Sequence, residues 1–268
     1  MADHRRNGGV KLKTMPTPNA TERFSDRVDN YVRYRPGYPP EILQLLRECC
    51  GFTQESRIAD LGFGTGIFTR MLLENGNTVF GIEPNQEMRE AGEKLLEGFA
   101  SFRSIGATAE QTTLEDHSVD FVTAAQAAHW FDREPTRREF SRILKPGGWV
   151  VLLWNERLTD STPFLVEYEQ LLLEYGTDYA EVRHERTTET IGGFFAPAQH
   201  EMATFRTQQI FEYASLEGRV FSSSYIPSPN DPRSGPIRQA LRELFERYQE
   251  NNTVAFDYDT KVFFGHLS

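Results

Sequence analysis

From Glu41 onward the apolar positions switch repeatedly between a helical and a strand-like rhythm. Ile42, Leu45, Leu46 and Cys49 mark one face of a helix that starts after Pro39-Pro40. Arg57 to Asp60 is a short apolar strand running into a glycine loop, and Phe68, Met71 and Leu72 recur at helical spacing just beyond it. Thr78 to Glu83 predicts a second strand, with Asn85 as the cap of a helix carrying Met88, Ala91 and Leu95. A third strand is expected over Phe102 to Ala107 and a fourth over Val119 to Ala125, after the turn Glu115-Asp116-His117-Ser118. Pro135 opens a helix with Phe140, Ile143 and Leu144, which Lys145-Pro146-Gly147-Gly148 stops; Trp149 to Trp154 is then a fifth strand. Strands alternating with helices at this spacing predict a parallel sheet covered on both faces, with ligands beyond the carboxyl ends of its strands.

The remaining residues change character. Phe164 to Tyr175 reads as a helix with Leu165, Tyr168, Leu172 and Tyr175 on one side, and Ile237 to Tyr248 as another. Thr204 to Tyr213 and Thr253 to Leu267 are aromatic, β-branched strands suited to an antiparallel edge. Residues 1–22, with His4, Arg5, Arg6, Lys11 and Lys13 among Gly, Pro, Thr and Asn, form no apolar period and read as a disordered tail. The expectation is one domain over 23–268: a core at 41–155, a helical cap at about 158–200, and strands and helices at 201–268.

The 268 residues carry 29 Lys and Arg against 39 Asp and Glu, so the net charge of −10 disfavours a nucleic-acid partner. The longest apolar strand, Trp149 to Trp154, is far short of the ~20 residues that cross a bilayer, and no secretory leader is evident. Cys49 and Cys50, the only cysteines, supply neither a disulfide framework nor a zinc site. These features predict a cytoplasmic protein without membrane partner or metal, and a monomer by default.

The chemistry begins at Asp60-Leu61-Gly62-Phe63-Gly64-Thr65-Gly66, between a strand and a helix. Glycines there admit a ligand close to the backbone. Glu83, at the end of the second strand, is placed to accept two ribose hydroxyls. A dinucleotide loop would need glycine at position 67, where Ile67 stands, and a phosphate loop would end in Gly-Lys-Ser/Thr, which is missing. An NAD-dependent oxidoreductase is thereby weakened.

The ordered set closely resembles class I S-adenosylmethionine-dependent methyltransferases, through the glycine loop, Glu83, the fourth strand and the Leu144-Lys145-Pro146-Gly147-Gly148 turn, over roughly residues 24–155. The resemblance implies an α/β, Rossmann-like fold: a mostly parallel seven-stranded sheet with an antiparallel C-terminal edge and a helical cap insertion. Tyr31-Val32-Arg33-Tyr34-Arg35-Pro36-Gly37-Tyr38-Pro39, Gln126-Ala127-Ala128-His129-Trp130-Phe131-Asp132, Trp154-Asn155 and Gly218 to Pro227 resemble the trans-aconitate methyltransferase-like branch. What is implied is S-adenosyl-L-methionine as cofactor, S-adenosyl-L-homocysteine as product, and cofactor contacts from Asp60, Gly62, Phe63, Gly64, Thr65, Gly66, Glu83, Pro84, Met88, Ala109, Glu110, Gln126 and Arg35. Tyr38, His129, Trp130 and Trp154 would meet the substrate.

Nucleic-acid amino methyltransferases carry Asp/Asn-Pro-Pro-Tyr/Phe where this chain has Gln126-Ala127-Ala128-His129; the Pro-Cys nucleophile of cytosine C5 enzymes and the metal-binding acids of catechol-type enzymes are also missing. Methyl transfer to a small-molecule carboxylate or hydroxyl oxygen remains. A carboxylate is ionised at pH 7 and needs no base; a hydroxyl needs one, and His129 is the candidate, unless it is a core residue under the cap. Arg35 either meets the methionine carboxylate or belongs to an aromatic clasp on the sheet. Arg183, His184 and Arg186 are either a cationic substrate contact or a solvated helix face. The competing function is a regulatory protein of the same fold that binds the cofactor without transferring its methyl group.

Overall fold

The computed structural model describes residues 34–177, 179, 191–223 and 225–267. The expected tail at 1–22, Tyr31 to Arg33, and the Arg183, His184 and Arg186 cluster lie outside the described residues. Seven strands form one sheet: β1 (Arg57–Leu61), β2 (Thr78–Ile82), β3 (Phe102–Ile105), β4 (Val119–Ala125), β5 (Leu144–Arg157), β6 (His200–Phe211) and β7 (Val254–Gly265). Their order is β3-β2-β1-β4-β5-β7-β6, with β1 to β5 parallel and β7 antiparallel to both β5 and β6. The helices are α1 (Glu41–Cys50), α2 (Ile67–Glu74), α3 (Gln86–Leu95), α4 (Arg133–Ile143), α5 (Pro163–Tyr175), α6 (Tyr213–Phe221) and α7 (Ser234–Tyr248). No helix among the described residues is long and apolar enough to cross a membrane.

Both faces of the sheet are buried. Ile58, Val79, Phe121 and Val151 meet α1 and α2 on one side, and Ala59, Val122, Ala124, Val150 and Leu152 meet Phe140 and Ile143 of α4 on the other. A separate apolar cluster joins α5, α6 and α7 to Phe256 and Tyr258 of β7. The helical cap is therefore not confined to 158–200, because α6 and α7 complete the apolar face that α5 cannot bury alone.

Three local expectations change. In α1 the buried positions are Ile42, Leu43, Leu46 and Cys50, while Cys49 is exposed, so the buried face is turned toward Leu43 and Cys50. Leu144 caps α4, its amide donating to the Phe140 carbonyl, and is already the first residue of β5: it pairs with Val119, and the next partners are Phe121 and Trp149, so Lys145 to Gly148 bulge out of β5. A Cβ on Gly148 would lie 2.7 Å from Leu144 Cδ2 and 3.0 Å from the Asp120 carbonyl, which reserves the bulge for glycine. Tyr213 does not finish β6 but starts α6, whose Leu216 and Val220 are buried one turn apart. Gly218 masks this helix in the sequence, and it is glycine because the Tyr34 ring stands 2.1 Å from where its Cβ would be.

Candidate active site

The strand order runs outward from β1 in one direction and from β4 in the other, so the carboxyl ends of β1 and β4 open a crevice between them. The glycine loop turns there. Gly62, Gly64 and Gly66 have φ of 66°, 56° and 86°, a region costly for any residue with a Cβ. Gly62 also faces Ala127 of the loop after β4; a Cβ would sit 2.5 Å from the Ala127 methyl. The two loops thus meet through that glycine.

Asp60 lies beneath the loop, wholly buried, and accepts from Thr69 Oγ1 at 2.5 Å and Thr123 Oγ1 at 2.7 Å. It ties α2 and β4 to β1. Burial pushes its carboxyl up to about 6, against the pull of the two threonine hydroxyls.

Glu83 is 9% exposed. Its Oε2 accepts from the Gly64 amide at 3.0 Å and its Oε1 from the Asn85 amide at 2.9 Å, which fixes the acid against the glycine loop. Burial raises its pKa, offset in part by those two amides. Each oxygen keeps a further lone pair for a ribose hydroxyl. Asn85 caps α3 as expected, accepting from the Met88 amide at 2.8 Å. The Met88 methyl packs toward Gly64, 3.3 Å from where a Cβ would stand, and Pro84 is exposed beside them.

Gln126 closes β4 with φ of 60°, a left-handed backbone that is rare outside Gly, Asn and Asp and tends to cluster at functional sites. Its Nε2 donates to the Asn155 carbonyl at 3.0 Å, while its Oε1 is buried with no partner. Thr65 Oγ1, in the glycine loop, is likewise buried and unpartnered. Two orphaned polar atoms facing one crevice are what a polar ligand would satisfy. With the Glu83 carboxylate, they fit the adenosine and amino-acid groups of S-adenosylmethionine.

Some expected contacts lie elsewhere. Phe63 turns into the core rather than the crevice, edge-on to Phe102 at 5.5 Å, in the space left by Gly81 and Gly92. Glu110 is taken up by the start of α4: its Oε1 accepts from the Asp132 amide at 3.0 Å and from Thr136 Oγ1 at 3.3 Å, and despite partial burial these bonds lower its pKa. Ala109 beside it is buried. Arg35 donates to the Ser222 carbonyl at 3.3 Å, beyond the end of α6.

The segment from Tyr34 to Tyr38 spans the cap and the crevice. The Tyr34 carbonyl accepts from Gln209 Nε2 at 3.1 Å, the Gly37 carbonyl accepts from Asn155 Nδ2 at 3.1 Å, and the Tyr38 ring meets Phe68 of α2 edge-on at 5.1 Å. Asn155 also accepts from Thr260 Oγ1 at 2.6 Å. It joins β4, β5, β7 and the clasp, a role that sequence reading missed although Trp154-Asn155 had stood out. On the 3₁₀ turn Ala128–Trp130, His129 is exposed, with its ring edge-on to the buried Trp154 at 5.0 Å and 4.6 Å from Trp130. A second cleft, lined by Thr53, Asp120, Lys145 and Trp149, lies at the amino ends of the strands, away from the glycine loop.

Residues 59–152 match a methyltransferase domain family. An uncharacterised methyltransferase-like protein of Schizosaccharomyces pombe is 33% identical over 245 residues, 90% of this chain and 93% of its own length. An uncharacterised methyltransferase of Mycobacterium tuberculosis is 39% identical over 134 residues, half of this chain; that match spans only 52% of the relative's length. Among solved structures, a protein of Anaeromyxobacter dehalogenans provisionally named a type II methyltransferase aligns with TM-score 0.63 over 87% of this chain and 98% of its own, at 19% identity. A Haemonchus contortus phosphoethanolamine N-methyltransferase solved with S-adenosylhomocysteine aligns with TM-score 0.51 over 90% of this chain and 56% of its own, at 15% identity. With the whole-length relative in S. pombe and the glycine loop, acid and strand order in place, the chain belongs to the class I S-adenosylmethionine-dependent methyltransferases.

Proposed function

We propose that this protein transfers the methyl group of S-adenosylmethionine to a carboxylate or hydroxyl oxygen of a small-molecule acceptor, as a cytoplasmic monomer. The observation that carries the reading is the Glu83 carboxylate locked onto the Gly64 amide beside the unpartnered Thr65 and Gln126 oxygens. Bound there, S-adenosylmethionine would supply a methyl group already activated on a sulfonium. Glu83 would hold the ribose, and Gly62, Gly64 and Gly66 would leave room for the amino-acid portion. Asp60 keeps the loop in register through Thr69 and Thr123. Trp154 and the Tyr34 to Tyr38 clasp shield the acceptor side from water. Alignment of this kind supplies several kcal/mol of a transfer barrier.

His129 would take the proton of a hydroxyl acceptor. His129→Ala is then expected to slow that turnover by about 10²–10⁴ without changing cofactor affinity. Turnover at the unaltered rate would make His129 a structural residue or the acceptor atom a carboxylate oxygen, which needs no base. The reading as a whole is tested by thermal unfolding with S-adenosylhomocysteine, S-adenosylmethionine and NAD in parallel. The two sulfur ligands at a hundredfold excess over Kd should each add about 2.7 kcal/mol, roughly 5–10 °C, and NAD nothing. No shift with either sulfur ligand would overturn the cofactor site. Binding without methylated product from a screen of small carboxylic acids and alcohols would favour a regulatory protein.

A further inference from the structure

Arg219, in the last turn of α6, is 6% exposed. Its Nη1 donates to Ser223 Oγ at 3.1 Å, and its Nε is buried with no partner. The ionisable groups that face it are the phenols of Tyr258, Tyr225 and Tyr168. No carboxylate pairs with it among the described residues, in a chain that has 39 of them. Arg157, on β5 opposite Tyr258, shows the usual solution: its Nη2 meets Glu169 Oε2 at 2.6 Å. A buried guanidinium without a counter-charge costs several kcal/mol, so an evolved interior that keeps one has a use for it.

The surroundings point to the use. Tyr258 Oη and Gln209 Oε1, on the neighbouring strands β7 and β6, are also buried without partners. Tyr258 lies two residues along β7 from Thr260, on the same face, and Thr260 bonds Asn155, whose carbonyl holds Gln126 at the crevice. The clasp follows the same line: Tyr34 covers Gly218 beside Arg219, Arg35 reaches Ser222, and Gly37 reaches Asn155. A hydrogen-bonded line through Asn155 and Thr260 therefore has unsatisfied polar atoms at both ends, Gln126 at the crevice and Tyr258 and Arg219 under the cap.

We propose that Arg219, with the Tyr258 hydroxyl, is the anion-recognising end of the acceptor site and takes a carboxylate of the acceptor, whose methyl-receiving end lies at the crevice. One guanidinium and one phenol match a planar monoanion, and a phosphate dianion would call for more positive charge. The location of the methyl-receiving end rests on the proposed function, whereas carboxylate binding at Arg219 does not.

The test is calorimetric titration of the full chain, with and without S-adenosylhomocysteine, using succinate, glutarate and tricarballylate. Succinamide and inorganic phosphate serve as the neutral and phosphate arms. At least one carboxylate should bind saturably and neither control should. Arg219→Gln should weaken that binding about tenfold or more, Arg219→Lys by less, and Tyr258→Phe, which removes a single hydroxyl from an intact fold, about threefold. S-Adenosylhomocysteine affinity should be unchanged in all three. Carboxylate binding equal in wild type and both Arg219→Gln and Tyr258→Phe would overturn the proposal, as would preference for phosphate or failure of every carboxylate to bind wild type. Failure of S-adenosylhomocysteine alone would instead strike the cofactor reading.

Discussion

Around the crevice, the buried carboxylates of Asp60 and Glu83 are each met by two donors from the chain itself, threonine hydroxyls for one and backbone amides for the other. Under the cap, two buried guanidiniums are treated unequally. Arg157 has Glu169, Tyr179 and the faces of Tyr168 and Phe256, while Arg219 has Ser223 and the phenols of Tyr258, Tyr225 and Tyr168, with no carboxylate. The parallel half uses buried charge to build its own frame. The cap uses one charge for frame and leaves the other uncommitted, as expected of the part of a fold that is free to differ between acceptors.

The largest effect should come from spoiling the committed pair. Arg157 and Glu169 are 6% and 9% exposed, and Glu169→Gln would leave the Arg157 guanidinium without its counter-charge. Breaking a buried pair in this way typically costs 3–5 kcal/mol. Urea unfolding at pH 7 should show a fall of about that size in the midpoint-derived stability. A change below about 1 kcal/mol would place Arg157 on the same footing as Arg219 and remove the contrast.

On the crevice side the corresponding probe is pH. The Asp60 carboxyl is raised by burial from 3.8 to about 6, so the folded state holds a proton that the unfolded state has released between those values. Its cost is therefore fully present above pH 6, and the protein should gain stability from this group as pH falls toward 4. The gain is up to about 3 kcal/mol for a shift of some two units. Asp60→Asn removes the titration, and the difference between wild type and variant, measured by urea unfolding from pH 4 to 7, isolates it from the other carboxylates. A flat difference would mean that the two threonine hydroxyls fully offset burial.

Glu83→Ala probes the neighbouring acid as a ligand rather than as frame. S-Adenosylhomocysteine affinity should fall more than tenfold, at least about 1.4 kcal/mol, by calorimetry. An unchanged Kd would remove Glu83 from the site.

The same division explains what could be read before the structure. The strand, glycine loop, helix and acid are local in sequence, each with its own spacing, and Asn85 announces its cap directly. The Phe63 ring enters a hole made by Gly81 and Gly92, far along the chain, and neither glycine reveals what it makes room for. Glu110 likewise depends on where α4 begins. In the cap, α6 was hidden by Gly218, a residue that ordinarily interrupts helices and here admits the Tyr34 ring. Asn155 joins elements whose adjacency is set by the β4-β5 and β5-β7 pairings and by the clasp, all distant in sequence.

The smallest effect on stability should come from the residue that looks most exceptional. Arg219→Met removes a buried charge that faces no carboxylate: the hydrogen bond to Ser223 is lost, and the desolvation cost of the guanidinium is relieved at the same time. Replacement of buried charge by apolar volume is often neutral or stabilising, so urea unfolding should show a change within about 1 kcal/mol of wild type, or a gain. Set beside the several kcal/mol expected for Glu169→Gln, that near-silence would separate an arginine that holds the cap together from one kept at a cost for a ligand. A loss as large as that of Glu169→Gln would show that Arg219 is frame after all, its phenol ring serving as the partner that a carboxylate would otherwise supply.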